Sequence, residues 1–162
     1  ARERHAATER RAEAARYLRM LMLRHRDAAR QRYAAPFVTA LSGLARTVFG
    51  GDVDFHLSEE LKVEARSRNG DTVAFDGLSG GAKEQLGILT RFAIAQLVSG
   101  DSVPVIIDDA LGSTDSTRLQ LMAALFTKAG KNSQVIVLTC MPQRYSWVAG
   151  RTELSMETLK KI

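Results

Sequence analysis

Apolar residues Phe37, Leu41, Leu44 and Val48 recur three and four positions apart, which predicts a helix with one buried face. Gly50-Gly51 would stop it, and Pro36 would start it, since a first helical turn does not need the missing N–H. Upstream, residues 1–34 are rich in Ala and Arg and contain no Gly or Pro, a composition that favours helix. Ala7, Ala14, Leu21 and Ala28 fall seven apart, with Leu18 and His25 four beyond two of them. Arg11 and Arg32 occupy matching positions and make the seam ragged. Residues 1–35 therefore read as the end of a helical arm, one strand of an antiparallel pair. A single basic surface helix is the plainer alternative.

The period then shortens. VDFHL (53–57), ELKVEAR (60–66) and TVAF (72–75) are short extended pieces, and Asn69-Gly70 is a strong hairpin signal, so an antiparallel meander is expected. Residues 82–98 return to helical spacing through Leu86, Leu89, Ala93 and Leu97. VPVIID (103–108) and QVIVLT (134–139) are continuous apolar runs, as expected of strands buried on both faces. Between them, residues 116–129 carry a helical stripe of Leu119, Met122 and Phe126 and stop at Gly130. Strand, helix, strand with apolar strands predicts an α/β fold around a parallel sheet.

Composition narrows the setting. Apolar residues are 45% and charged residues 25% of the 162, ordinary for a globular protein. No run approaches the roughly 18–20 apolar residues of a membrane span, and there is no signal-peptide pattern. One cysteine, Cys140, excludes an internal disulfide, and no Cys/His cluster suggests zinc. A cytoplasmic setting without membrane association is expected. The opening is charged and helical without an initiator Met, so a piece of a longer protein is expected too.

The charge is uneven. Residues 1–35 hold ten Arg against Glu3, Glu9, Glu13 and Asp27, while the remainder holds 13 basic and 14 acidic groups. The basic character thus belongs to the arm. Clustered Arg there would bind a phosphate backbone by releasing counterions, or would simply be a solvated face. Arg10, Arg11, Arg16, Arg19, Arg24 and Arg26 are the candidate DNA contacts.

Two stretches carry candidate chemistry. In FDGLSGGAKEQL (75–86), Ser79 offers a hydroxyl, and Gly80 and Gly81 let the backbone approach a ligand. The helix that follows adds free N–H groups and its positive dipole end, which together suit a phosphate oxygen. In VIIDDALGSTD (105–115), Asp108 and Asp109 end an apolar strand, where an open α/β sheet places its ligands. Adjacent carboxylates diverge, so one would hold Mg²⁺ through water while the other orients an attacking water. Asp115 also suits a helix cap.

LSGGAKEQL, VPVIIDDALGSTD and QVIVLT, in that order, resemble the C-terminal half of an ABC-type ATPase head of the SMC, RecN and SbcC class. Within that class, LSGGAKEQLGI, PVIIDDAL and QVIVLTC are most similar to bacterial SMC-like ATPases related to YhaN. The resemblance implies a P-loop NTPase head lobe over residues 36–162, with a coiled-coil arm ending at 35. It implies that Leu78, Ser79, Gly80 and Gly81 form the signature motif, which contacts ATP held by the opposite head of a homodimer. It further implies that Asp108 is the Walker B acid near Mg²⁺, that Asp109 stands where the family places a catalytic Glu, and that Asp115 is the D-loop Asp. Lys83, Glu84 and Gln85 receive no separate chemistry.

Three departures qualify it. Asp109 is one methylene shorter than Glu. The switch position after QVIVLT, His in many ABC proteins, is Cys140 or Met141, and Cys140 reads as a small buried strand-end residue. No G-x-x-x-x-G-K-[ST] loop occurs, so an N-terminal half of the head must supply it. The expected function is ATP hydrolysis at a head–head interface, coupled to DNA binding, maintenance or repair, possible only once that half is present. A non-hydrolysing dimerisation scaffold and a transporter ATPase are the alternatives. Tyr145 and Trp147 would pack a partner or cap the core, and core packing is the expected use.

Overall fold

The computed structural model describes residues 2–58, 60–98 and 103–160. One helix, α1 (Arg2–Phe49), runs straight through Pro36, so the helix start expected there is not made. The missing N–H and ring clash cost roughly 3 kcal/mol in a helix interior. Strong helix formers precede the proline, and Phe37, Leu41, Leu44 and Val48 after it are all buried, so helix is favoured on both sides. From residue 5 to Pro36 every side chain is exposed or half-buried, and burial begins at Phe37.

Strands β1 (Val53–Leu57), β2 (Val63–Arg68) and β3 (Asp71–Ala74) form the expected antiparallel meander in the order β1-β2-β3. Asn69 (φ 52°) and Gly70 (φ 87°) both take the left-handed conformation that a two-residue hairpin turn requires. β2 begins three residues later than ELKVEAR suggests. Ser58 N–H donates to the Lys62 carbonyl at 2.8 Å, and Leu61 sits at φ 61°, so that stretch is consumed by a turn.

Helix α2 (Gly80–Val98) starts two residues before the expected position, because the Ser79 hydroxyl accepts from Ala82 N–H at 3.3 Å and caps its first turn. β4 (Val105–Asp108) and β5 (Val135–Leu138) pair in parallel, joined through α3 (Ser116–Ala129), and α4 (Met156–Leu159) follows near the end. The core lies among the end of α1, α2, α3 and one face of β4, with Leu41, Leu89 and Met122 wholly buried. Phe126 meets Phe92 and Tyr145 edge-to-face at 5.6 and 5.8 Å.

Two expectations fail here. The strands are not buried on both faces: Val105 and Ile107 are buried, whereas Ile106 is 58% and Leu138 49% exposed. Alternate strand residues point to opposite faces, and α2 covers one face only. Tyr145 joins the core, but Trp147 lies two residues beyond, past a 3-10 turn (Pro142–Tyr145), and stays exposed.

Candidate nucleotide-contacting surface

The glycine loop is built from its backbone outward. Leu78 is buried and anchors it, whereas Ser79 and Gly80 face solvent. With its oxygen accepting from Ala82 N–H, the Ser79 hydroxyl keeps its own proton free to donate to an anion. The first N–H groups of α2 have no intrahelical partners and point the same way.

Gly81 does different work. A Cβ there would lie 2.5 Å from the Ser113 carbonyl oxygen and 3.2 Å from its carbon, so only glycine lets α2 touch the loop after β4. Two side chains reinforce the joint. Glu84 Oε2 accepts from Ser113 N–H at 3.3 Å, and Gln85 Nε2 donates to Thr114 Oγ1 at 3.2 Å. Gln85 is completely buried, and its Oε1 has no partner among the described residues. Residue type and spacing assign these two residues no role, because neither encodes a contact with a loop 29 residues away.

The carboxylates stand at the end of β4. Asp108 is exposed on the strand's last position, beside Asp109, also exposed, at φ 39°. Asp109 N–H donates to the Leu138 carbonyl at 2.8 Å, carrying the sheet ladder one step further. The Cys140 thiol donates to Asp109 Oδ1 at 3.5 Å. Cys140 is therefore exposed and turned toward a carboxylate, not the small buried residue expected: the sheet has ended by residue 138, and no element packs over it. Met141, the other switch candidate, is also exposed, and its N–H donates to Thr139 Oγ1 at 2.9 Å.

Leu111 follows at φ 70°, nearly fully buried. A non-glycine residue in this region costs on the order of 1–3 kcal/mol and persists only where its surroundings hold it. The 3-10 turn supplies that hold: Tyr145 Oη donates to the Ala110 carbonyl at 2.9 Å, and Arg144 donates to the Leu111 carbonyl. Burial, and secondarily the Asp109 charge, pushes the Tyr145 phenol above its ordinary pKa, so it stays a donor. Asp115 caps α3, accepting from Arg118 N–H at 2.9 Å and pairing with its Nε at 3.6 Å.

Among the described residues, no group of three or more His, Cys, Asp or Glu is placed to hold a metal ion. Two adjacent exposed carboxylates nevertheless fit Mg²⁺, which keeps several waters and takes phosphate oxygens as ligands instead of an all-protein cage. The structure thus brings Gly81, Glu84 and Gln85 against the 111–115 loop, and Cys140 and Tyr145 against Asp109 and Ala110. Arg10, Arg11, Arg16, Arg19, Arg24 and Arg26 are all exposed on α1 and join neither loop. The nearest of them, Arg26, lies about 16 Å along the helix from Phe37, where packing begins.

No protein-family model matches the chain. Uncharacterised proteins of Mycobacterium tuberculosis and Mycobacterium bovis are each 48% identical to it over 157 residues, which is 96% of this chain. The chain spans only 18% of the length of these curated relatives. Among solved structures, a chain from work on ATP-driven dimerisation and DNA-stimulated activation of SMC ATPases superposes with a TM-score of 0.63 at 20% identity. That match covers 83% of this chain and 93% of the other. The SMC head domain from Thermotoga maritima gives a TM-score of 0.56 at 18% identity, over 76% of this chain and 45% of that one. An SMC head bound to the C-winged-helix domain of ScpA gives 0.58 at 21% identity, over 82% and 46%. With 76–83% of the chain superposed on each of these neighbours, the chain has the fold of part of an SMC-type ATPase head.

Proposed function

We propose that residues 36–162 are the C-terminal lobe of an SMC-like ATPase head and residues 1–35 the end of its coiled-coil arm. ATP would lie between two heads, one supplying Asp108 and Asp109 and the other supplying Ser79 with the α2 N-terminus, in a homodimer. The observation that carries this reading is the contact of Gly81 with Ser113, which makes the glycine loop and the loop leading to Asp115 one continuous surface. Ser79 would donate to a phosphate oxygen, and Asp115 would cross the interface. Asp108 would hold Mg²⁺ through water, an ion that neutralises phosphate charge when bound. Asp109 would orient the attacking water, with positioning and charge stabilisation accounting for most of the catalysis.

The Walker A half of the head would come from elsewhere in the protein. The exposed apolar face formed by Ile106, Ile136 and Leu138 supports this, because parallel sheets are covered on both faces. Tyr17, Leu18, Met20 and Met22, exposed on α1, support an arm that packs against a second helix. A cytoplasmic setting, a DNA-linked role and the narrower kinship with YhaN-related ATPases belong to this proposal; among the described residues no helix is long and apolar enough to cross a membrane.

The test is Asp109→Asn in the intact protein, followed by nucleotide binding and single-turnover hydrolysis. Unchanged ATP binding with hydrolysis slowed by roughly a hundredfold or more, the lower end of what a lost general base costs, is expected. Hydrolysis at the parent rate refutes the role of Asp109. A parent protein that binds ATP and dimerises without turnover establishes instead a non-hydrolysing scaffold, a reading favoured by the Cys140 thiol already engaging Asp109 Oδ1.

A further inference from the structure

We propose that the cleft between the last turn of α1, strand β2 and the first turn of α3 is a phosphate-binding site separate from the glycine loop. Arg46, Arg68 and Arg118 line a cavity of about 450 Å³ there, together with Asp115. The cavity continues onto the same face of the meander. Arg66 and Arg68 are two apart on β2 and share that face, which bears a second depression of about 410 Å³ lined by both. Four guanidinium groups from three elements thus converge on one region.

Their charges are poorly balanced. Asp115 is engaged with Arg118, as both cap and ion pair. Asp71 stands opposite Arg68 in the hairpin register but forms no ion pair with it. Among the described residues no carboxylate lies within ion-pair distance of Arg46, Arg66 or Arg68. Arg66 lies 5.0 Å over the Phe49 ring, and its Nε is buried with no hydrogen-bond partner among the described residues. Burial first, then the charges of Arg68 and Arg118, pull its pKa down, which shows these cations close enough to repel one another. A set of cations lining one cleft without matching carboxylates is relieved by an anion bound there.

The chemistry of that anion follows from the donors. Guanidinium forks match two oxygens of one phosphate, and several forks on different elements suit a chain of phosphates. Phe49 is buried beneath Arg66, so no exposed ring lines the cleft to stack on a base. Recognition would therefore be of phosphate alone, whether in a free polyphosphate or along a nucleic-acid backbone.

The experiment compares the intact protein with its Arg46→Gln/Arg68→Gln variant in titrations with inorganic tripolyphosphate and with a mixed-sequence DNA duplex, without ATP. Both residues are exposed, or surface-lining, and lie outside the glycine loop and the Asp108–Asp109 pair, and an unchanged circular dichroism melt shows that the variant folds. Loss of two charge-assisted contacts should weaken binding of the recognised probe by at least roughly a hundredfold. Arg46→Lys/Arg68→Lys should recover part of the loss. A loss confined to tripolyphosphate assigns the site to free polyphosphate. For a nucleic-acid backbone, duplex binding falls and its log–log salt slope drops by roughly two. If neither probe binds the parent, or the Gln variant binds both as well as the parent does, the proposal is overturned.

Discussion

Replacing Gly81 by Ala tests whether the start of α2 and the loop after β4 form one rigid surface. The added Cβ would sit 2.5 Å from the Ser113 carbonyl oxygen, and ordinary contact requires it to retreat by about 1 Å. The obstacle is backbone, not a side chain that can swing aside. Ser113 is held by Glu84 Oε2, and Thr114 N–H is bonded to the Leu111 carbonyl at 3.3 Å. Overpacking of this kind costs about 1–3 kcal/mol, from which alanine's helix propensity recovers at most ~1 kcal/mol. Gly80 supplies the control, because a Cβ there meets nothing within 4 Å and Gly80→Ala should be neutral or mildly stabilising. Hydrogen–deuterium exchange of the Ser113 and Thr114 amides reads the difference directly. A net loss of 1–2 kcal/mol corresponds to roughly five- to thirtyfold faster exchange in Gly81→Ala. Equal protection in the two variants would refute the close-contact argument, and with it the basis for treating the two loops as a unit.

Three other perturbations address the neighbouring parts. Tyr145→Phe removes the bond to the Ala110 carbonyl and should lower stability by about 1 kcal/mol, seen as a fall of roughly 2–4 °C in Tm. The raised phenol pKa sets the sign of a pH effect. Its contribution is complete below the unfolded-state value of about 10 and is lost as pH rises through the higher folded-state value, so the parent should lose stability in that alkaline window and Tyr145→Phe should lack this component. Ser79→Ala should cost about 1 kcal/mol as a lost cap and no more, whereas Ser79→Arg should in addition abolish ATP-dependent dimerisation measured by sedimentation; dimerisation as in the parent would remove the signature role from Ser79.

What was legible in the chain was local. Asn69-Gly70 announced its hairpin, because both residues tolerate the positive φ that the turn needs. The stripes of α2 and α3 and the two apolar runs gave their elements because each period reflects one backbone geometry. Pro36 misled for the same reason: local preference says start, and packing from Phe37 onward outweighs it. Cys140 misled differently, since a strand-end residue is buried only if something packs over it, and that depends on parts of the fold remote in sequence.

The candidate site divides along the same line. Ser79, Asp108 and Asp109 could be named from residue type and position, because a glycine turn before a helix and an acid after an apolar strand have meaning by themselves. The groups that hold them could not. Glu84 and Gln85 act on a loop 29 residues later, and Tyr145 on a carbonyl 35 residues earlier, through bonds that no periodicity encodes. Beside the candidate site, two features remain unsatisfied among the described residues: the buried Gln85 Oε1 at the joint of the two loops, and the apolar face of Ile106, Ile136 and Leu138. A buried carbonyl oxygen without a donor costs about 1–3 kcal/mol, and an exposed face on a parallel pair forgoes the burial that normally stabilises it. The second deficit lies on the face of β4 and β5 turned away from α2, where, on the proposed function, the rest of a head would pack and supply the missing cover.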